Sequence, residues 1–242
     1  MRSVIIIPAL NEADAIAGVV GSVLAHTDRV IVVDNGSTDE TAALAARAGA
    51  HVVAASPPGY GRACLAGVAA AGAADLLIFM DGDGADDPAD LPELLAPILA
   101  HEADLVIGSR ALGTRERGAL TLPQRWGNAL ATSLMRWFWT SPFTDLGPFR
   151  AITRSAYDRL KMQAPTFGWT VEMQVRALKH GLRCSEVPVN YRRRIGVSKI
   201  SGTIKGVILA GGYILGTIFK EKLRPVSQCG RRPSPTVKRR SI

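Results

Sequence analysis

The chain has 242 residues, of which 47% are hydrophobic and 21% are charged. This composition excludes global disorder and supplies enough apolar residues for the core of one large domain or two small ones. The net charge of +8 is unevenly placed: residues 1–175 hold 13 Lys and Arg against 19 Asp and Glu, whereas residues 176–242 hold 16 against 2. A basic carboxyl-terminal part indicates an anionic partner such as phosphate groups, a lipid surface or nucleic acid.

The three cysteines are far apart and form no C-x-x-C pair, which argues against a disulfide framework and a structural zinc site and favours a reducing compartment. We expect no signal peptide, since the apolar run at 4–7 is short and ends at Pro8. The longest apolar run, 206–219, is shorter than the roughly 20 residues that a membrane span needs. We therefore expect a buried or an interfacial helix there.

Strand and helix patterns alternate over the first 110 residues. Apolar runs predict strands at 4–7, 30–33, 51–54, 76–80 and 105–107, and the segments between them predict helices at 11–25, from 37 onward, at 62–73 and at 88–100. Asn11 is the expected N-cap of the first helix, and Ser37 and Glu40 have the spacing of a capping box. Short apolar strands separated by helices predict an α/β, Rossmann-like fold with a mostly parallel central sheet flanked by helices.

The second half of the chain has a weaker pattern. It predicts a loop at 111–122, a helix at 123–138, a strand at 149–153, a helix at 169–180, a strand at 186–193 and a final helix at 203–222. In the first of these helices Leu130, Leu134 and Trp137 fall on one stripe. After the final helix, Pro, Ser, Arg and Lys without an apolar period predict a disordered basic tail over 224–242.

An acidic triplet follows the most apolar of the predicted strands. Asp81 and Asp83 are two residues apart and share a face of an extended chain, so they can hold a divalent cation together with substrate oxygens. Gly82 between them allows close backbone approach. The triplet could also be a solvated acidic turn, but the preceding strand favours a binding site, because ligands of such sheets bind at the carboxyl ends of the strands.

Three further segments carry polar residues that suit an anionic ligand. Asp34 follows the second strand and can bond a base or a ribose hydroxyl, with Gly36 permitting a tight turn. The loop that ends at Arg62 can offer backbone N–H groups and a guanidinium to a phosphate. The basic segment 191–199 is either an anion-binding lid with glycine hinges or a solvated loop.

Six motifs occur in one order along the chain: IIPALNE at 6–12, VVDNGSTD at 32–39, FMDGD at 79–83, GSR at 108–110, EVPV at 186–189 and RIGVSK at 194–199. Together they resemble family 2 glycosyltransferases of the nucleotide-binding GT-A fold. Within that family the chain looks most like polyprenyl- or dolichyl-phosphate sugar synthases. The first three motifs are specific for the superfamily, and the last two, with Arg125 and Asn128, point to the lipid-phosphate branch.

The resemblance implies inverting, metal-dependent transfer of a sugar from a UDP- or GDP-sugar to a polyprenyl phosphate, with Mg²⁺ or Mn²⁺ as cofactor. By position, the nucleotide sugar would contact Pro8, Leu10, Asn11, Glu12, Asp34, Gly36, Arg62, Asp81 and Gly82. The catalytic residues would be Asp81, Asp83, Asp145 and Arg110, and the metal ligands Asp83 and Asp81. The acceptor phosphate would meet Arg125, Asn128, Arg194, Ser198 and Lys199.

The sequence departs from the family pattern at two places. Ala85 stands where the lipid-phosphate enzymes often carry Gln or Ser, which makes Asp87 the candidate replacement ligand. The segment 145–150 is one residue shorter than its family counterpart. If the acceptor were a hydroxyl instead of a phosphate, Asp145 or Glu172 would have to take its proton.

The resemblance also predicts how the chain is organised. We expect a single domain over 1–223, with a nucleotide-sugar-binding half at 1–110 and an acceptor-binding half at 111–223. The basic end favours a cytoplasmic protein attached peripherally to the anionic inner face of a membrane. A basic nucleic-acid-binding protein is the alternative from another class. The acidic body and the scattered aromatic residues disfavour it, so we expect no nucleic-acid partner.

Overall fold

The computed structural model describes residues 1–196 and 204–225. Within these residues seven strands form one sheet: β1 (Ser3–Ala9), β2 (Arg29–Asp34), β3 (His51–Ala54), β4 (Leu76–Phe79), β5 (Leu105–Ser109), β6 (Arg150–Thr153) and β7 (Cys184–Pro188). Eight α-helices accompany them: α1 (Ile16–Val23), α2 (Thr41–Arg47), α3 (Tyr60–Ala70), α4 (Leu91–Leu99), α5 (Leu122–Trp139), α6 (Arg154–Leu160), α7 (Trp169–Lys179) and α8 (Ile204–Leu223).

The strand order of the sheet is β3-β2-β1-β4-β6-β5-β7. All pairs are parallel except those of β6, which runs antiparallel to both β4 and β5. One apolar cluster packs α3, α5, α6 and α7 on one face of the sheet, and a second packs α1, α2 and α4 on the other. The predicted mostly parallel sheet flanked by helices is therefore confirmed. Its strands are apolar throughout because both faces are covered.

Two predicted helix caps are wrong. The first helix begins at Ile16, and Asn11 lies five residues before it with a left-handed φ of 53°. The Asn11 Oδ1 atom accepts the backbone N–H of Thr38 at 2.7 Å, and the Ser37 hydroxyl accepts the backbone N–H of Asn11 at 2.9 Å. These polar side chains tie two loops together instead of capping the helices that follow them, since α2 begins only at Thr41.

The structure differs from the predicted elements at three further places. The helix α6 was not predicted, and the predicted strand at 186–193 is the shorter β7, Cys184–Pro188. Beyond β7 the chain continues as a loop in which Tyr191 forms isolated bridges with Asp86 and Arg115. The predicted helix at 88–100 is divided into a 3-10 turn, Pro88–Asp90, and α4.

A buried group of charges fixes α8 to the body of the protein. Arg176 on α7 pairs with Glu172 at 2.6 Å and with Glu221 of α8 at 2.9 Å. Removing one partner from such a buried pair leaves an uncompensated charge, which is strongly destabilising. In the described ranges, 1–196 and 204–225, no helix is both long and apolar enough to cross a bilayer. Of the predicted tail at 224–242, only residues 224 and 225 are among the described residues.

Gly67 of α3 allows the helix to pack closely on the sheet. A Cβ atom at this position would lie 2.3 Å from Ile6 Cγ2 and 3.0 Å from Val33 Cγ2, and both of those side chains are buried in the sheet. We predict that Gly67→Ala lowers the free energy of unfolding by about 2 kcal/mol, because neither neighbour can move aside. Urea denaturation measures this loss.

The matched control is Gly18→Ala on α1, where no described atom outside the helix's own backbone and the adjacent residues lies within 4 Å of the added Cβ. This variant should be unchanged or gain up to about 1 kcal/mol from helix propensity. Equal effects of the two substitutions would contradict the close packing of α3 on β1.

Candidate active site

The carboxyl ends of β1 and β2 lie side by side, because Ala9 pairs with Asp34 in the parallel register. Asp34 Oδ1 accepts the backbone N–H of Ser37 at 3.0 Å. Gly36 between them has a φ of 92°, a conformation that favours glycine. The turn leaves the half-buried Asp34 carboxylate at the carboxyl edge of the sheet, where α/β proteins bind ligands.

The neighbouring loops are joined to this turn by hydrogen bonds. The Asn35 side-chain oxygen accepts the backbone N–H of Gly59 at 2.7 Å, which attaches the loop before α3 to the end of β2. Arg62, predicted to meet a phosphate, donates from Nη1 to the carbonyl of Pro58 in that loop at 2.9 Å. Its observed contact is therefore with its own loop.

Three carboxylates crowd the loop that follows β4. Asp83 and Asp86 are only 6% and 1% exposed, and Asp86 Oδ2 accepts the backbone N–H of Asp81 at 3.3 Å. Burial raises the pKa of Asp81 well above its usual value, and the charges of Asp83 and Asp86 raise it further. Burial, with the Asp83 charge, also raises the pKa of Asp86 to about 7. Like charges in a dry site repel one another, so a cation bound here would be strongly favoured.

Arginine 194 supplies positive charge to this acidic loop. Its guanidinium lies 3.3 Å from Asp83 Oδ2 and 2.7 Å from Glu12 Oε1. The chain around it is held by backbone bonds, from the Ile195 N–H to the Asp83 carbonyl at 2.9 Å and from the Arg192 N–H to the Ala85 carbonyl at 2.8 Å. Residues 191–196, the described part of the basic segment, therefore lie against the acidic loop.

Asp87, the candidate replacement ligand, has other partners. Its Oδ2 atom pairs with Arg192, and its Oδ1 atom accepts the backbone N–H of Ala89 at 3.1 Å, which caps the 3-10 turn. Asp86 is the neighbour that faces Asp81, and its Oδ1 atom is buried without a hydrogen-bond partner in the described structure. The third carboxylate at the acidic loop is thus Asp86.

Arg110 and Asp145 form a bidentate ion pair beside this loop. Arg110 donates from Nε and Nη2 to the two carboxylate oxygens of Asp145, both at 2.8 Å, and its backbone N–H donates to Oδ2 at 2.8 Å. Burial alone would raise the pKa of Asp145, but the charge and hydrogen bonds of Arg110 outweigh it and hold that pKa below its usual value. Asp145 is therefore ionised and already bound, which makes it a poor proton acceptor.

The loop that carries Asp145 is held from two sides. Glu186 of β7 accepts the backbone N–H groups of Thr144 at 2.9 Å and of Asp145 at 3.2 Å. Asn128 of α5 donates to the Thr144 carbonyl and accepts the Leu146 N–H, both at 2.9 Å. Asn128, predicted to meet the acceptor phosphate, thus uses its amide to position this loop.

A basic cavity of about 310 Å³ lies between α5 and the loop before it. Arg125 and Arg136 line it from the helix and Arg115 from the loop, while Asp145 reaches its wall. The two helical arginines are 11 residues apart, about three turns, and so project from the same side. Because Asp145 is neutralised by Arg110, the cavity has a net positive charge that suits a phosphate.

The structure brings most of the predicted site residues to this one edge of the sheet. Those gathered there are Pro8, Leu10, Asn11, Glu12, Asp34, Gly36, Asp81, Gly82, Asp83, Arg110, Asp145 and Arg194. Gly82 faces inward, since a Cβ atom there would lie 3.3 Å from both Ile7 Cγ2 and Ile16 Cδ1. Ser198 and Lys199 lie outside the described residues.

Sequence reasoning did not single out several residues of the site. Arg115 and Arg136 line the cavity, Tyr60 donates to Asp81 Oδ1 at 3.3 Å, and the ring of Tyr191 lies 5.0 Å from the Arg110 guanidinium. The 11-residue spacing from Arg125 would have identified Arg136. The two tyrosines lie within the loop before Arg62 and the basic segment, but their contacts had no local signal, because their partners are distant in the sequence.

Residues 4–161 match the sequence profile described as glycosyl transferase family 2. The chain belongs to this family. An uncharacterized glycosyltransferase of Mycobacterium tuberculosis is 38% identical over 85% of this chain and 93% of its own length. The undecaprenyl-phosphate mannosyltransferase of Micrococcus luteus is 32% identical over 85% and 90%, and the dolichyl-phosphate hexose transferase of Haloferax volcanii is 30% identical over 91% and 95%.

Solved structures support the same fold. The glucosyl-3-phosphoglycerate synthase of Mycobacterium tuberculosis in complex with phosphoglyceric acid has a TM-score of 0.75 at 22% identity, covering 98% of this chain and 88% of that one. The same enzyme with Mn²⁺, UDP-glucose and phosphoglyceric acid has a TM-score of 0.74 at 23% identity, covering 93% and 80%. The chain is thus a family 2 glycosyltransferase with the GT-A fold, which sets aside the alternative of a nucleic-acid-binding protein.

The Arg110–Asp145 pair gives a pH-dependent test of the site. Asp145→Asn leaves the Arg110 charge without its partner, so we predict a loss of about 3 kcal/mol in the free energy of unfolding at pH 7. The pKa of Asp145 in the folded protein lies below its value of 3.8 in the unfolded chain. The stability that the ionised carboxylate gives the wild type over the variant is therefore fully present at pH values above 3.8. It disappears as the pH falls through the folded pKa.

Urea denaturation at pH 7 and at about pH 3 measures both parts of this prediction. Asp158→Asn is the control, since Asp158 forms an exposed pair with Arg154, and it should cost about 0.5 kcal/mol or less. An undiminished loss for Asp145→Asn in acid would show that its charge is not the source of the stability.

Proposed function

We propose that this glycosyltransferase moves a hexosyl group from a UDP- or GDP-sugar to a polyprenyl phosphate at a membrane surface, with inversion at the anomeric carbon. One observation carries the proposal: an acidic loop and a three-arginine cavity meet at the same edge of the sheet, with the Arg110–Asp145 pair between them. The acidic loop suits a cation that carries a diphosphate, and the three-arginine cavity suits a phosphate acceptor. The names of the Micrococcus and Haloferax relatives support the same acceptor class.

The donor would bind across the ends of β1 and β2. Asp34 and the loop at 8–12 would contact the base and the ribose, and Asp81 would contact the ribose or the sugar. The UDP-glucose complex of glucosyl-3-phosphoglycerate synthase, which shares the fold, supports a nucleotide sugar as the donor.

The acidic loop fits a divalent cation. In the described ranges no group of three or more His, Cys, Asp or Glu is arranged to hold a metal on its own. Mg²⁺ and Mn²⁺, however, are commonly held by one or two carboxylates together with substrate phosphates and water. Asp83 already pairs with a guanidinium, and Asp86 has a buried oxygen that finds no hydrogen-bond partner among the residues described. Asp83, with Asp81 nearby, would hold the metal, which when bound would stabilise the negative charge of the leaving diphosphate.

The remaining chemistry falls to the arginines. A phosphate monoester is largely ionised near neutral pH, so its oxygen can attack the anomeric carbon without a general base. That carbon–oxygen bond forms as the bond to the diphosphate breaks, and the nucleoside diphosphate leaves with the electron pair. Arg115, Arg125 and Arg136 would orient the attacking phosphate, and Arg194 would face the leaving diphosphate.

Transfer to a hydroxyl group has less support. It requires a carboxylate that can accept a proton, and the two candidates are already engaged. Asp145 is bound by Arg110, and Glu172 pairs with Arg176 while accepting the backbone N–H groups of Gln163 and Ala164. A phosphate acceptor needs no such base.

Donor and metal binding can be tested without turnover. A UDP- or GDP-sugar with Mn²⁺ should raise the melting temperature of the wild type by about 5 °C at saturation, since a ligand that binds only the folded state stabilises it. Asp83→Asn should abolish the Mn²⁺-dependent part of this shift, because it removes the charge that faces the metal.

The control for this experiment is Glu93→Gln on the exposed surface of α4, which should keep the full shift. A panel of UDP- and GDP-sugars, each with and without Mn²⁺, also identifies the donor. A full Mn²⁺-dependent shift in Asp83→Asn would refute the assigned metal position.

The acceptor site is tested by neutralising the cavity. We predict that Arg125→Gln combined with Arg136→Gln raises the KM for a short-chain polyprenyl phosphate by at least about tenfold, because a hydrogen bond to a charged group contributes about 1.5–3 kcal/mol. Donor-induced thermal shifts should be unchanged. The control is Arg47→Gln, which changes an exposed arginine on α2 that does not line the cavity, and its KM should equal that of the wild type.

The acceptor class follows from the same assay. Replacing the polyprenyl phosphate with the corresponding polyprenol should abolish product formation. Equal transfer to the alcohol would establish the hydroxyl-acceptor alternative in place of the proposal.

A further inference from the structure

The outer side of α5 carries an apolar stripe that the core does not use. Trp126 is 77% exposed, Trp137 is 78% exposed, and Leu122 and Leu130 are also exposed. Their spacing places them on one side of the helix, whereas Ala131, Thr132 and Met135 form its buried side. Two exposed tryptophans on one stripe indicate a binding surface, because single exposed apolar residues are common but contiguous patches are not.

Helix α8 presents a second apolar stripe beside the first. Leu209, Tyr213, Phe219 and Leu223 are all exposed, Leu223 to 85%. An aromatic chain connects the two stripes: Trp137 stacks on Phe138 at 5.1 Å between ring centroids, and Phe138 meets Phe219 edge-on at 5.9 Å. We call the combined surface the lipid face, and its members are Leu122, Trp126, Leu130, Trp137, Leu209, Tyr213, Phe219 and Leu223.

The charges around the lipid face are positive. Helix α5 contains no acidic residue, and the single acid of α8, Glu221, is buried against Arg176. Lys220 and Lys222 are exposed on α8, and the sequence after Pro225 adds five Lys and Arg with no Asp or Glu. Two copies meeting through this face would bring these cations together. An anionic bilayer would neutralise them, with about 1 kcal/mol for each Lys or Arg near its surface.

The arrangement of α5 also aligns the lipid face with the basic cavity. Arg125 and Arg136 line the cavity, and each directly precedes one of the exposed tryptophans, Trp126 and Trp137. Successive residues of a helix differ by about 100° in direction, so the arginines flank the stripe on its cavity side. Tryptophan prefers the headgroup region of a bilayer, and this position of the rings would bring the cavity to headgroup depth.

We propose that the lipid face lies on an anionic bilayer, with Trp126 and Trp137 in its interface and the three-arginine cavity open toward the headgroups. The acceptor phosphate then enters the cavity sideways from the bilayer while its hydrocarbon tail stays among the lipids. Binding to the bilayer stands on the exposed residues alone, whereas this route for the acceptor rests on the proposed function.

The test uses the full chain and flotation with vesicles of phosphatidylcholine that contain about a third phosphatidylglycerol. Trp126→Gln combined with Trp137→Gln should weaken vesicle binding at least about tenfold and leave the melting temperature and the donor-induced thermal shift unchanged. Leu99→Gln, which changes an exposed leucine on α4, is the control and should bind as the wild type does. Wild-type tryptophan fluorescence should shift to the blue with vesicles and be quenched by brominated lipids.

Undiminished vesicle binding by the double tryptophan variant would overturn the proposal. A second result would also overturn it: the wild type does not bind vesicles and sediments as a dimer, while the double variant sediments as a monomer. In that case a second copy of the chain would cover the lipid face. With a short-chain, water-soluble polyprenyl phosphate the double variant should keep wild-type turnover, and with a long-chain acceptor in vesicles it should lose most of it. Vesicle binding without turnover of either acceptor would refute the proposed function and leave the docking surface in place.

Discussion

Buried negative charge at the end of β4 is the constraint on which the site depends. Asp81, Asp83 and Asp86 share one loop, and burial with mutual repulsion raises the pKa of Asp81 and of Asp86. Arg194, 182 residues from Glu12 along the chain, bridges Glu12 and Asp83. Since carboxylates in a dry site must be neutralised, the same carboxylates that hold Arg194 against the loop would serve to bind a cation and, through it, a diphosphate.

The antiparallel strand β6 places the loop that carries Asp145. By lying between β4 and β5 it brings the loop before it to the carboxyl ends of those strands. Glu186 and Asn128 then fix that loop through its backbone, so that Asp145 meets Arg110 with both carboxylate oxygens. This ion pair lies between the acidic loop after β4 and the basic cavity, and so separates the carboxylates of the one from the arginines of the other.

Helices α5 and α8 have two roles that follow from their amphipathic patterns. Their inner sides pack on the body, where Arg176 and Glu221 join α7 to α8. Their outer sides keep an apolar stripe with cations around it. Because Arg125 and Arg136 project between the two sides of α5, the cavity and the α5 part of the lipid face adjoin on one helix.

The alternation of short apolar strands with helices was enough to predict the α/β class and the parallel part of the sheet, because the period of apolar residues reports directly which sides are buried. The acidic triplet after β4 and the turn at Asp34 were also visible, since strand ends are marked by local polar residues. The resemblance to family 2 glycosyltransferases then predicted that these segments form one donor-binding site. Local pattern, however, identifies a buried or polar residue without identifying its partner.

Only the tertiary structure decided those partners. Asn11 and Ser37 have the chemistry of helix caps, but each bonds to the loop of the neighbouring strand. Asn128 holds a backbone loop, and Trp137, part of a predicted apolar stripe, faces outward. The sequence by itself determined most of the strands and helices and the polar motifs at the strand ends, because these follow from neighbours along the chain. The partners of the charged groups, the basic cavity and the exposed face of α5 depend on contacts between residues far apart in sequence, and folding alone settles those.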